Sequence, residues 1–280
     1  MGEFIVAVAE QPFLRQALLA GLLASIGCGL IGPFVVVKRI AFLAGGIAHS
    51  VLGGMGAALY FGFDPLLGAL AAAVISALLI GWVRLTWHTG EDTAIGALWA
   101  IGMAVGILFI AQTPGYTTDL MSFLFGNILL VPTRELWFMG FLDLALLVVV
   151  ALLYRHFIAV AFDEDFARLR GLPVAALYLL LLVLVALTVV LMIQVVGLIL
   201  VIALLTLPAA MAGQWTHSIT GMMVAATLLG AAITSGGLAL SYAPDLPPGP
   251  TIILLAGALY LVSALTAGVA RRARAPRPDA

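Results

Sequence analysis

Two residues carry polar chemistry where the surrounding sequence offers almost none. His49 stands in AFLAGGIAHSVLGGMGAALYFG, eight or nine residues into an apolar run, which is about 12–13 Å deep at the helical rise of 1.5 Å per residue. Imidazole is a natural ligand for Zn²⁺, Mn²⁺ or Fe²⁺, and an ionisable side chain at such depth is expensive unless it serves something. A neutral, hydrogen-bonded packing histidine is the competing reading. One histidine does not make a metal site, so a ligand role needs partners from other segments. Asp143, inside MGFLDLALLVVV, is the best-placed carboxylate; its charge must be paired, protonated or wet. Asp119, Asn127 and Glu135 lie upstream of it and could meet an arriving cation first. Asp64, Glu91 and Asp92 sit at helix starts, where capping is the default role.

The elements that must position these residues are membrane spans. Of 280 residues, 64% are apolar and 9% charged, with a mean hydropathy of +1.23. A soluble domain carries about 25% charged residues, so a soluble or disordered chain is excluded. The expectation is an all-α polytopic membrane protein: a single transmembrane domain over 1–280, with its core at about 13–269 and a short basic tail at 270–280. Apolar runs near 13–36, 41–61, 65–83, 93–111, 136–154, 173–193, 219–240 and 250–269 give eight full spans. The run 173–209 is too long for one crossing of about 20 residues. It reads as a full span, a turn at Gln194–Gly197, and a shorter returning segment at 197–209. Folding it back collects ten of the 12 basic residues on one side, the cytoplasmic one, leaving Arg15 and Arg134 outside. The amino terminus is then external. It has acidic residues where a cleavable leader would be basic, so the first span reads as a retained anchor.

Span two is dense in glycine. Gly45, Gly46, Gly53, Gly54 and Gly56 give it a thin face that either lets neighbouring backbones approach or leaves room for a substrate path. The lone cysteine, Cys28, excludes a disulfide framework. No phosphate-binding G-x-x-x-x-G-K-[ST] loop, H-E-x-x-H or G-x-S-x-G motif is present, so an enzyme reading, including ATP hydrolysis by this chain, is rejected. No dense basic surface points to nucleic acid.

In order and spacing, KRIAFLAGGIAHSVLGG, EDTAIGALWAIGMAVGILF, LFGNILLV, FDEDFARLRGLPV, VGLILVIALLTLPAAMA and GLALSYAPDLPPGPTIIL resemble the permease subunits of the zinc/manganese/iron class of ATP-driven importers, the ABC-3 family, over about residues 10–268. The resemblance implies the type II importer architecture of the vitamin B12 permeases and a multi-pass protein of the bacterial cytoplasmic membrane. It implies a homodimer, two cytoplasmic ATPase subunits that bind ATP, and an extracytoplasmic metal-binding protein. The cargo would be a divalent metal, zinc first, with manganese or iron as alternatives, and no permanently bound cofactor. It places the ATPase-coupling segment at Leu207, Pro208, Ala209, Ala210, Met211, Ala212, Gly213, Gln214, Trp215 and Thr216. A second cytoplasmic element near the ATPase would comprise Asp163, Glu164, Asp165, Arg168 and Arg170. His49 is the histidine of the family motif, on the cation path.

One departure stands out within that motif. Many relatives read AFLGDAISH, with a carboxylate four residues before the histidine; here the position is Gly45. An i,i+4 Asp–His pair on one helix face is therefore missing, and Asp143 is the expected substitute. Two rival readings are a permease of the same architecture for a metal chelate or cobalamin-type molecule, and a non-transporting scaffold or sensor.

Overall fold

A computed structural model describes residues 2–87, 91–113 and 126–274. Eleven α-helices are described: α1 (Gly2–Glu10), α2 (Pro12–Val37), α3 (Ala41–Tyr60), α4 (Pro65–Trp87), α5 (Glu91–Gln112), α6 (Thr133–Phe162), α7 (Glu164–Leu169), α8 (Val174–Val196), α9 (Leu198–Trp215), α10 (Ile219–Tyr242) and α11 (Pro248–Arg274), with a 3₁₀ turn at Ile128–Leu130. Nine of the described helices are long and apolar enough to cross a membrane. Hydrocarbon offers backbone groups no hydrogen-bond partner, so helices with internal bonding are the form such a composition must take.

Helix α2 is the hub, packed on α6, α8, α9 and α10. Its buried residues Ala17, Ala20, Gly21, Ala24, Gly27 and Cys28 are small, which lets several helices share one axis. The long apolar run splits where expected. Gly197 adopts φ +81°, ψ 161°, a conformation that side-chain-bearing residues avoid. Gly126 lies against the Val196–Gly197 peptide, leaving no room for a Cβ. The returning segment is longer than 197–209: α9 has 18 residues and ends at Trp215. Pro208 costs the helix one hydrogen bond without ending it, so the apolar LPAAMAG continues the crossing.

Both ends of the bundle are recognisable. At one, Lys38 after α2, Arg84 late in α4, Glu164 of α7 and Tyr178 early in α8 converge. At the other lie the Gly197 turn, Asp64 before α4 and Thr133 at the start of α6, which accepts a hydrogen bond from Gln16 at 3.0 Å. The basic end is the cytoplasmic side by the distribution of Lys and Arg. Helix α1 packs at the opposite end, with Phe4 edge-on to Tyr242 at 5.7 Å between centroids.

Helices α3, α4 and α5 form a subgroup packed backbone to backbone. A Cβ at Gly53 would lie 2.8 Å from the Gly102 carbonyl oxygen of α5, and one at Gly56 would strike Gly106. Gly54 faces Gly68 of α4 in the same way, and Gly46 faces Ile95. Ser50 and Ser76 share a hydrogen bond of 2.8 Å between α3 and α4. Four of the five glycines in the thin face are thus consumed by helix contact. Gly45 is the exception: a Cβ there meets only Trp99 at 3.8 Å and Ile202 at 3.9 Å, which is ordinary contact.

This contrast makes a stability prediction. Gly53→Ala forces α3 and α5 apart and destabilises by about 1–3 kcal/mol. Gly45→Ala is neutral or stabilising by up to about 1 kcal/mol through helix propensity. Thermal unfolding of the two variants in detergent, side by side with the wild type, checks the ordering.

Candidate cation path and cytoplasmic cluster

His49 is the ninth residue of the 20-residue α3, so it sits near mid-membrane. It is half-buried, and its ring stacks on Trp99 of α5 with centroids 4.0 Å apart and planes inclined by 12°. Trp99 also touches Phe42, one turn from Gly45, at 6.0 Å. The stack covers one face of the imidazole. Away from its contact with α3, helix α5 leaves Ile101, Val105, Ile107 and Leu108 exposed.

Asp143 occupies a different place. It lies eleven residues into α6 and is only 5% exposed. A Cβ at Gly27 of α2 would come within 2.7 Å of its Oδ1, and the same position is bordered by Thr188 and Met192 of α8. Both carboxylate oxygens are buried without a hydrogen-bond partner. A lone charge in such a setting costs several kcal/mol unless a cation or proton accompanies it. The described contacts set His49 against α5 and Asp143 against α2 and α8, and do not join the two residues. Among the described residues no three His, Cys, Asp or Glu side chains converge in a metal-binding group.

Of the expected outer contacts, Asp119 lies outside the described residues. Asn127 is exposed and precedes the 3₁₀ turn, its carbonyl accepting from Leu130 N–H at 3.0 Å. Glu135 is half-buried in the first turn of α6 and lines an outer cleft of about 550 Å³ with Asp64, Arg134, Trp137, Leu191 and others. Asp64 also caps α4, its Oδ1 accepting from Leu66 N–H at 2.8 Å, as its position before Pro65 suggested.

The cytoplasmic end holds the strongest electrostatic assembly among the described residues. Lys38 donates to the Val160 carbonyl at 3.0 Å and forms a short ion pair with Glu164. Arg84 donates to Tyr178 Oη at 2.9 Å and reaches Glu164 at 3.5 Å. The Arg84 guanidinium also lies 4.6 Å from the Tyr178 ring centroid. The Lys38 side chain is 7% exposed and that of Glu164 29%. Asp163 caps α7 by accepting from Phe166 N–H at 2.8 Å. Asp165 and Arg168 form an exposed pair at 3.9 Å, and Arg170 lies over the Phe166 ring at 5.0 Å. The charged loop helix expected from FDEDFARLRG is therefore present, and it is tied to the body through Glu164.

The proposed coupling segment divides by depth. Pro208, Ala209, Met211 and Ala212 are buried, Leu207, Ala210, Gln214 and Thr216 are half-buried, and Gly213 and Trp215 are exposed. Ser263 of α11 holds that tip, donating to Gln214 Oε1 at 2.8 Å and accepting from Trp215 Nε1 at 3.3 Å. A cleft of about 430 Å³ opens beside it, lined by Val37, Phe162, Gln214, His217 and Met222 among others.

Trp99 and Lys38 are the residues of these two candidate sites that sequence reasoning passed over. A tryptophan amid the small residues of GALWAIGMAVG was the available signal for the first. The second had none, since Lys38 and Glu164 are 126 positions apart.

Nine apolar helices crossing in this order define a multi-pass bacterial membrane protein with the all-α fold of ABC permeases. The chain belongs to the ABC 3 transport family, which matches residues 10–267. It is 48% identical to an uncharacterised membrane protein of Synechocystis, covering 94% of each chain. It is 35% identical to a manganese transport system membrane protein of Halalkalibacterium halodurans, covering 93% of this chain and 89% of that one. A chain of PsaBC from Streptococcus pneumoniae, solved in complex with a Fab, superposes with a TM-score of 0.84 at 30% identity, covering 94% of each chain.

The Glu164 cluster has a pH dependence. Burial alone would raise the Glu164 carboxyl, but the Lys38 hydrogen bond and charge, with Arg84 and Arg168, bring it below its ordinary value. A depressed folded-state pKa contributes stability above the unfolded value and loses it as pH falls through the folded one. The thermal midpoint of the wild type should therefore drop as pH is lowered through and below the usual carboxylate range. Glu164→Gln should be less stable than wild type at neutral pH, by about 1–3 kcal/mol, and flatter in that acidic window. A pH series of melting curves compares them.

Proposed function

We propose that this chain is the permease subunit of an ATP-driven importer of divalent transition metal ions, with manganese as the first cargo to test. The half-buried His49 at mid-membrane, stacked on Trp99 of a second helix, is the observation that carries the reading. A transported ion must be held weakly enough to leave. One imidazole without a facing carboxylate is such a site, and Mn²⁺ binds nitrogen donors more weakly than Zn²⁺ does. The relative from Halalkalibacterium named for manganese transport moves that metal ahead of zinc, which the sequence alone had put first.

In this account two copies of the chain enclose the path, with His49 on its wall. An extracytoplasmic metal-binding protein delivers the ion to the outer surface, where Asn127 and Glu135 are the amide and acidic groups it meets. Cytoplasmic ATPase subunits dock on the tip Gly213–Thr216 and on α7, and their closure is transmitted along α9 and through the Lys38–Glu164 pair. Asp143, whose orphaned oxygens call for a cation or proton, lies deeper in the protomer and serves the path from within its wall.

Uptake of labelled manganese, zinc and iron in competition, by cells lacking their own importers and supplied with the assembled complex, tests the proposal. Manganese uptake in the wild type and a loss of about tenfold or more in His49→Ala, with the complex still assembled, is expected. An intact complex that takes up none of the three metals contradicts it and brings the chelated-substrate reading forward.

A further inference from the structure

We propose that Trp99 is a positioning residue for His49: its indole face fixes the imidazole so that a divalent cation meets the ring only in its own plane, edge-on at a nitrogen. The inference rests on the reading of His49 as a ligand of the path and goes beyond it by assigning a second residue, on a second helix, to the same site.

Three observations carry it. The rings are parallel to within 12° at 4.0 Å, so one imidazole face is closed to solvent and to ions. The partner helix cannot readily shift, because Trp99 lies between two tight contacts of α3 with α5, Gly46 on Ile95 and Gly53 on Gly102. The indole edge also packs along α3 one turn from His49, since a Cβ on Gly45 would lie in ordinary contact, 3.8 Å, with Trp99 Cζ3. With a carboxylate lacking at position 45, nothing on α3 itself orients the imidazole. An aromatic stack can do so, because ring pairs hold a preferred mutual geometry. Fixing a lone ligand in advance removes rotational freedom that an ion would otherwise have to restrain.

The test pairs an optical and a transport readout on the full chain. In a version with Trp82, Trp87, Trp137 and Trp215 replaced by Phe, Trp99 alone emits, and MnCl₂ is titrated with MgCl₂ as control. Saturable quenching by manganese, absent in His49→Ala, is expected. In the assembled complex, Trp99→Phe keeps a stacking ring and should take up manganese within twofold of wild type at limiting metal. Trp99→Leu should fall about fivefold, with Trp99→Met as the alternative if the leucine variant does not assemble. Assembled Trp99→Leu or Trp99→Met transporting at the wild-type rate, while His49→Ala is impaired, overturns the positioning role. Wild-type uptake by His49→Ala overturns the ligand reading beneath it, so the two failures are told apart.

Discussion

The approach of α3 to α5 sets the geometry on which the rest of the site depends. Gly53 and Gly56 meet Gly102 and Gly106 with no side chain between the helices, so the two backbones run as close as packing allows. That closeness, and not a ligand network, brings the indole of Trp99 flat against His49. Any methyl group at these crossings would tilt α5 away, and the stack would open. Glycine is costly in a helix, and four glycines in one span show where that cost has been accepted in exchange for a fixed register.

The two halves of the chain differ in packing. Around α3 and α5 the helices meet through glycine and serine, and the far side of α5 is apolar and exposed. Around α2, α6 and α8 the core is dense, and its cytoplasmic rim is closed by Lys38, Arg84, Glu164 and Tyr178. Lys38 follows the hub helix directly, so a force on α7 reaches α2 through a short ion pair. The Gly213–Thr216 tip is likewise connected, through α9 to the Gly197 turn on the far side. A push at the cytoplasmic surface therefore has rigid routes to the outer end of the bundle.

Much of this was legible from residue order. The spans followed from apolar length, the fold-back from the excess length of 173–209, and the common side of the basic clusters from charge. These depend on local composition and on the bilayer, which acts alike on every segment. Contacts between distant segments were not legible. The thin face of span two looked like one feature, yet Gly53 and Gly56 serve α5, Gly54 serves α4, and only Gly45 would take a Cβ without strain. Asp143 was expected opposite His49 because both are costly in lipid, but cost alone does not say which helix a side chain faces; it faces Gly27. The returning helix was ended at 209, with the apolar run, whereas it continues to Trp215 with Pro208 inside it.

The central claim is that His49 lines a water-accessible path, and cysteine accessibility at that position tests it most directly. Cys28 is the sole cysteine and is buried, so Cys28→Ser leaves a background in which His49→Cys is the single thiol. In the assembled complex in vesicles, a small charged thiol reagent should label position 49 during ATP turnover. A thiol that reacts only after the membrane and fold are dissolved would place His49 in sealed packing and contradict the account.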